Sequence, residues 1–585
     1  MYTSGGPGES GTKEVAVIGQ ADTDGITAIL LSRNASSTEA AKSSAPTRIL
    51  GSSERGYEIL KTSTVPQMDF SNFDSYAEDA TSVIQFFCSK DRSGPDRIYI
   101  ALVFAFIITR CYHKLLARVE NGDKIWGGSK GTEYDHPTSY IRRAFDSKSP
   151  SSITEQHFVL GLPPYIEILL SEWGIEPSSC TDQTVDSTAP GASTIPGSSA
   201  AQNASTRHFK VSADNAKQWA EALHGIVHKV RTFLREMVEK KKSSYEILEF
   251  LQLEYYMVLL QALLRCGVVS HLITGNIEIA LSKMRDHNLK RFVLKAIITK
   301  PDTTGKPSID PHEEENSSRG NPTSTEHVGY DDDEDLAADA STEPGETEKS
   351  HVIRYLKTLL IPLTIILTLQ RLRNARPTSV TVYRFLSSAS SLSPTSSSGL
   401  FNEVLRAAHE SDLDVSKDSD LFKLSTSKKT KHSAVIHTEA ALMTLVWSLR
   451  ANPSTAKAVL GEAFEDLQDM LREGEILIGI SKKCCYCCHL LAEELASNGS
   501  PSPVKFVLQG THATVYPWLP PDGLPLKVLQ GIRAKLKEAL MQAIRDELSS
   551  TGSAQSSPFS TTSELAFLPP QETRENFVNF MLGTN

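Results

Sequence analysis

Cysteine is scarce in this sequence, at eight residues in 585. That number, unevenly spread, excludes a disulfide framework. Four of the eight, Cys484, Cys485, Cys487 and Cys488, fall within one short stretch. Such clustering points to metal or redox chemistry in a reducing compartment, so a cytoplasmic or nuclear protein is expected. Long apolar runs are missing as well. Ile98–Ile108 and Leu359–Leu369 are the strongest, and each has only about 11 residues against the roughly 18 to 20 that span a bilayer, so buried helices are expected and no membrane partner. The opening MYTSGGPGESGTKE has no basic stretch followed by an apolar one, and no secretory signal is expected there. Excess positive charge is also absent. A net charge of −10 excludes a chain that coats nucleic acid without specificity, while leaving room for a locally basic site.

What is present divides into several units, because a single hydrophobic core does not grow to this length. Residues 1–67 are rich in Gly, Ser and Thr and are expected to be mostly disordered, although VAVIG and ITAILL around Asp22-Thr23-Asp24-Gly25 could pair as a hairpin. Residues 68–175 read as a helical region built on Asp96–Val119, which is apolar around nearly its whole circumference. Residues 176–208 have almost nothing to bury and read as a flexible linker. From 209 to 299 a helical hairpin or bundle is expected, since Trp219, Leu223, Ile226, Val230, Phe233 and Met237 recur at three- and four-residue steps. That stripe needs a partner surface, and the helices before the linker can supply it. A protein partner of the helical amino-terminal half is expected. Residues 300–350 form an acidic spacer whose Asp331–Asp335 run lacks the spacing of a calcium loop. Residues 351–420 hold an apolar helix interrupted at Pro362 and a Ser-rich loop.

Beyond 421 the pattern becomes mixed. Helices are expected at His437–Leu449, Ser454–Arg472, Cys485–Ala496 and Leu526–Leu548, with strands at Ile476–Ile480 and Val504–Leu508. The expected fold class is therefore α/β: a carboxy-terminal α-β-α layer domain over 421–548, preceded by a mostly helical amino-terminal region with disordered linkers, and followed by a tail at 549–585. Strands ahead of the His437 helix have three candidates, Leu421–Leu424, Ser433–Ile436 and Thr381–Phe385.

The chemistry concentrates where the Ile476–Ile480 strand gives way to a helix. Cys485 and Cys488 stand one helical turn apart at a helix start, which favours thiolates and suits them to ligate zinc. Cys484 and Cys487 form another such pair. His437 can be a third ligand, and Glu439, two residues on, is close enough to move protons on a zinc-bound water without binding the metal.

H-x-E followed downstream by C-x-x-C is the signature of zinc deaminases of nucleosides and nucleic acids. With IHTEAAL at Ile436, IGISKKCCYCC at Ile478 and FVLQGTHATVYPW at Phe506, the sequence from about 421 to 548 resembles the cytidine deaminase-like superfamily, and within it a group of predicted nucleic acid or nucleotide deaminases common in fungi. The resemblance places the metal ligands at His437 and at the second and last cysteines of CCYCC, Cys485 and Cys488. It implies a Zn2+ cofactor, Glu439 as the catalytic acid and base, and hydrolytic loss of ammonia from a nucleobase, at C4 of cytosine or C6 of adenine. The loop after the Phe506 strand is where substrate would lie, with Thr511 or His512 hydrogen-bonding a base and Tyr516 or Trp518 stacking on it. Tyr-Pro-Trp can equally be a core plug.

Two other readings compete. In a structural zinc module within a helical scaffold protein, Cys485, Cys488, His489 and either His512 or His437 would close all four positions and leave Glu439 idle. A dithiol redox site at Cys485 and Cys488 is the other, although no thioredoxin-like βαβ unit precedes it.

Overall fold

A computed structural model describes residues 15–22, 25–35, 47–65, 73–88, 96–127, 136–147, 153–162, 164–178, 205–239, 242–298, 346–371, 379–386, 436–461, 475–480, 484–498, 503–508 and 518–551, with a few isolated positions between 406 and 468. Most of the expected linkers at 176–208 and 300–350, the Ser-rich loop and nearly all of the tail lie outside them. The described chain is mostly helical, with one six-stranded and one two-stranded sheet.

The amino terminus opens as strands β1 (Val15–Asp22) and β2 (Gly25–Ala35), an antiparallel pair with Asp22 opposite Gly25. Strand β3 (Thr47–Leu50) and helix α1 (Ser53–Lys61) follow, the helix capped by Ser52, whose hydroxyl accepts from Arg55 N–H. Three strands and a helix thus occupy the stretch expected to be mostly disordered. The physical reason is a short unbroken apolar run amid Gly and Ser: Val15 and Val17 meet one core, whereas Ala16 and Ile18 meet another. A strand with both faces buried is stable whatever its flanks are made of.

The helical body contains α2 (Phe73–Cys88), α3 (Asp96–Trp126), α4 (Pro137–Ser147), strand β4 (Gln156–Leu162), α5 (Pro164–Ser171), strand β5 (Ser205–Val211), α6 (Ala216–Val238), α7 (Ile247–Arg265), α8 (Val268–Leu272), α9 (Gly275–Ile298), α10 (Glu348–Thr358) and α11 (Ile361–Arg371). One hydrophobic core runs through it, taking in Phe104, Trp126, Trp219, Phe250 and Tyr355. The stripe of 209–299 shares a core with the helices of 68–175, and β4 pairs antiparallel with β5 across the intervening stretch. Gly122 in α3 admits Tyr355 closely, because a Cβ there would overlap the phenol oxygen. That hydroxyl lies 3.0 and 3.1 Å from the carbonyls of Arg118 and Val119, and 2.9 Å from His136 Nε2. Helices α10 and α11 meet at a bend of 66°, with Pro362 in the first turn of α11. By length and composition alone, α3 and α7 are long and apolar enough to cross a membrane; 72% and 50% of their most apolar windows are buried inside the protein.

Strand β6 (Ser379–Leu386) leads to the carboxy-terminal elements α12 (Thr438–Ala451), α13 (Pro453–Leu460), β7 (Ile476–Ile480), α14 (Tyr486–Asn498), β8 (Phe506–Leu508) and α15 (Leu526–Thr551). The large sheet runs β3-β6-β2-β1-β7-β8. The β1–β7 seam is antiparallel, with Ala16 opposite Ile480, Val17 opposite Gly479 and Ile18 opposite Ile478. Strand β8 adds parallel to β7, while β6 adds parallel to β2. The boundary expected at 421 consequently does not enclose the sheet, which draws on residues 15–50 and 379–386 as well. Alone, β7 and β8 would be a two-stranded parallel pair with bare edges, too little to stand in water. Of the three candidates for an upstream strand, Thr381–Phe385 lies in β6; Leu421–Leu424 and residues 433–435 lie outside the described residues.

Candidate metal centre

Two helix starts face each other across the core formed by Ala16, Ile18, β7, α12 and α14. His437 is the N-cap of α12, in extended conformation at φ −73° and ψ 144°, and its carbonyl accepts the Ala441 N–H at 3.0 Å. Glu439 follows in the first turn. Cys485 stands immediately before α14: its carbonyl accepts from His489 N–H at 3.0 Å, and its Sγ receives the Cys488 N–H at 3.4 Å. A sulfur here takes the place a serine oxygen takes at an ordinary N-cap. The positive ends of two helix dipoles thus point at one spot, which favours anionic ligands there.

The side chains converge as closely as the backbone. Cys485 Sγ and Cys488 Sγ are 3.3 Å apart, Cys488 Sγ lies 3.5 Å from His437 Nδ1, and Glu439 Oε1 lies 3.8 Å from the same nitrogen. Ligand atoms of all four residues fall within 4.8 Å of one another. None of the four exposes more than 8% of its surface. Around a tetrahedral zinc ion with Zn–S of about 2.3 Å and Zn–N of about 2.0 to 2.1 Å, neighbouring donors stand about 3.6 to 3.8 Å apart. The Cys485–Cys488 and Cys488–His437 distances lie within about 0.5 Å of those values, and the donor set is one zinc accepts. Burial pushes the Cys488 thiol well above its ordinary range and the Cys484 thiol up to about 12, so without a metal these thiols keep their protons and a cation must displace them.

The other expected residues are placed differently. Cys484 and Cys487 are buried but stand outside the four-residue cluster, with Cys484 Sγ directed to the Cys485 carbonyl at 3.2 Å. His489 is also outside it: its Nε2 faces Glu493 at 3.3 Å. Trp518 packs against the edge of the core, its indole Nε1 buried and without a hydrogen-bond partner among the described residues. Thr511, His512 and Tyr516 lie outside the described residues. Sequence reasoning missed what lies behind the site, where Ala16 and Ile18 of β1 form its floor. The unbroken apolar run VAVI, the mark of a strand buried on both faces, was the available signal. It also missed the seat of α14 on α15, where buried Glu494 accepts from Asn498 Nδ2 at 2.6 Å and pairs with Lys535 Nζ at 3.1 Å.

Residues 436–522 match the family model described as OTT_1508_deam:-like deaminase. All four clustered residues fall inside the match, while the helical body and β1 to β6 fall outside it. No curated protein and no solved structure matches the chain. The carboxy-terminal part of this largely helical protein therefore carries a deaminase-like region.

Proposed function

We propose that the protein is a zinc-dependent deaminase of the cytidine deaminase-like superfamily, of the kind found in the fungal group, hydrolysing the exocyclic amine of a nucleobase in a nucleotide or nucleic acid. One observation carries this reading: His437, Cys485 and Cys488 offer three zinc ligands from two helix starts, and the carboxylate of Glu439 stands beside them. Three protein ligands leave a tetrahedral ion one open position, as catalysis requires. When bound, zinc supplies the Lewis acidity that brings the pKa of a water from about 15.7 toward about 7.

Glu439 takes one proton from the attacking water and gives it to the ring nitrogen, then takes the second from the new hydroxyl and gives it to the departing amine. The amidine carbon gains an oxygen, the bond to nitrogen breaks, and the products are the keto base and ammonia. Burial of Glu439 among Ala440, Leu442 and Met443 keeps bulk water from competing for that proton. An α-β-α layering of the carboxy-terminal part is supported by the two cores that meet at β1, one shared with α12 and α14 and the other with the helical body. Buried thiols of this kind suit a reducing compartment, cytoplasm or nucleus, and the helical body offers a surface for a protein partner.

A structural zinc module would need a fourth protein ligand; of its candidates His489 faces Glu493 instead, and His512 lies outside the described residues. Glu439→Gln separates the two readings. Zinc content should be unchanged while ammonia release from the best nucleoside or nucleic-acid substrate falls by about a hundred- to ten-thousandfold. Full activity in that variant, or zinc-loaded wild type inert toward every such substrate, would favour the structural module.

A further inference from the structure

The helical body contains a cavity of about 350 Å³ that the deaminase chemistry does not use. Ser139, Arg142 and Arg143 reach it from α4, and His224, His228 and Arg231 reach it from α6. No acidic residue is among its described lining. Of the cationic groups around it, Arg231 is paired through Nη2 with Asp123 at 2.5 Å, and nearby Glu120 is held by Arg235 Nη2 at 3.2 Å, outside the lining. Arg142 Nε is buried and makes no hydrogen bond among the described residues.

In a chain of net charge −10 this is a concentration of cationic groups against the trend. The histidines register it. Burial first, then the positive charges of Arg142, His228 and Arg143, hold His224 down to about 4, so at neutral pH the imidazoles serve as neutral hydrogen-bonding groups. His224 Nδ1 already engages Ser139 Oγ at 3.3 Å. Helix α4 begins at Pro137 beside the cavity and adds the positive end of its dipole. Guanidinium groups, neutral imidazoles and a hydroxyl around one concave space are the donor set for phosphate oxygens. A volume at the lower end of ligand cavities admits one compact molecule.

We propose that this cavity binds a small, multiply charged phosphate compound of the di- or triphosphate class, anchored by Arg142 and Arg143. The site belongs to a hydrophobic core other than that of the metal centre, so this reading does not depend on the deaminase assignment. The test is calorimetric titration of the full-length protein with inorganic tripolyphosphate at fixed ionic strength, with sulfate as the comparison. Saturable binding of one tripolyphosphate per chain is expected, tighter than sulfate by at least tenfold. Arg142→Gln and Arg143→Gln should each weaken it by about tenfold, the loss of one charge-assisted contact, with zinc content unchanged. Arg143 is exposed, so its variant carries the test if Arg142→Gln fails to fold. Absence of saturable binding, affinity that survives both substitutions together, or displacement by a single-stranded oligonucleotide at concentrations below those of tripolyphosphate itself would overturn the assignment.

Discussion

Replacing Ile18 with alanine should expose the cysteine cluster, although the two are far apart along the chain. Ile18 is 1% exposed, stands opposite Ile478 in the β1–β7 seam, and belongs to the same core as Cys485 and Cys488. Truncation removes three carbons from a site that the sheet backbone prevents from collapsing. Such changes cost about 2 to 5 kcal/mol, and about 3 kcal/mol raises the open population by roughly a hundredfold. The assay is alkylation of metal-free protein under native conditions, with mass spectrometry following the peptide that contains Cys484 to Cys488. Labelling in Ile18→Ala should run about a hundredfold faster than in wild type when opening equilibrates before alkylation. Leu477→Thr supplies the control: Leu477 is 39% exposed on β7, and such surface changes stay within about 0.5 kcal/mol. If Ile18→Ala labels within threefold of wild type, β1 is not part of the cluster's core and the assembly of the sheet described above is wrong.

Three more outcomes follow from particular contacts. Gly531→Ala should destabilise the protein by about 1 to 3 kcal/mol in urea titrations, because the new methyl would collide with the Glu494 carboxylate and overpacking outweighs the gain of up to about 1 kcal/mol in helix propensity; a stabilised variant would show that α14 and α15 have room to part. Zinc binding at His437, Cys485 and Cys488 must expel protons from raised thiols, so isothermal titration in buffers of different ionisation enthalpy should find up to two protons released per zinc and affinity falling as pH falls; Cys487→Ser should keep the metal and Cys488→Ser should lose it. Burial, followed by the charges of Arg231 and His224, holds His136 at about 3, below the unfolded value of about 6.5. Above that value both states are neutral and nothing is lost. As pH falls from 6.5 toward 3 the unfolded chain takes a proton that the folded one refuses, which costs about 4 to 5 kcal/mol in total. Stability that is flat with pH across this range, or a slope unchanged in His136→Gln, would contradict that burial.

The sequence alone determined what is local. An i, i+3 cysteine pair at a strand-to-helix junction must share a helix face, and His437 and Glu439 at a helix start must stand within one turn of each other. The apolar stripe of α6, from Trp219 to Met237, likewise announced a buried helix face. Tertiary structure alone decided which strands complete the sheet. Pairing of Val17 with Gly479 has no trace in the neighbours of either residue, since a strand's partner is set by which distant edge is bare and which faces remain to be covered. It also decided that α4 and α6, separated by β4, β5 and the whole connection between them, turn their arginines and histidines into one cavity. Periodicity places a side chain on a face of its own helix, and only packing decides what that face meets.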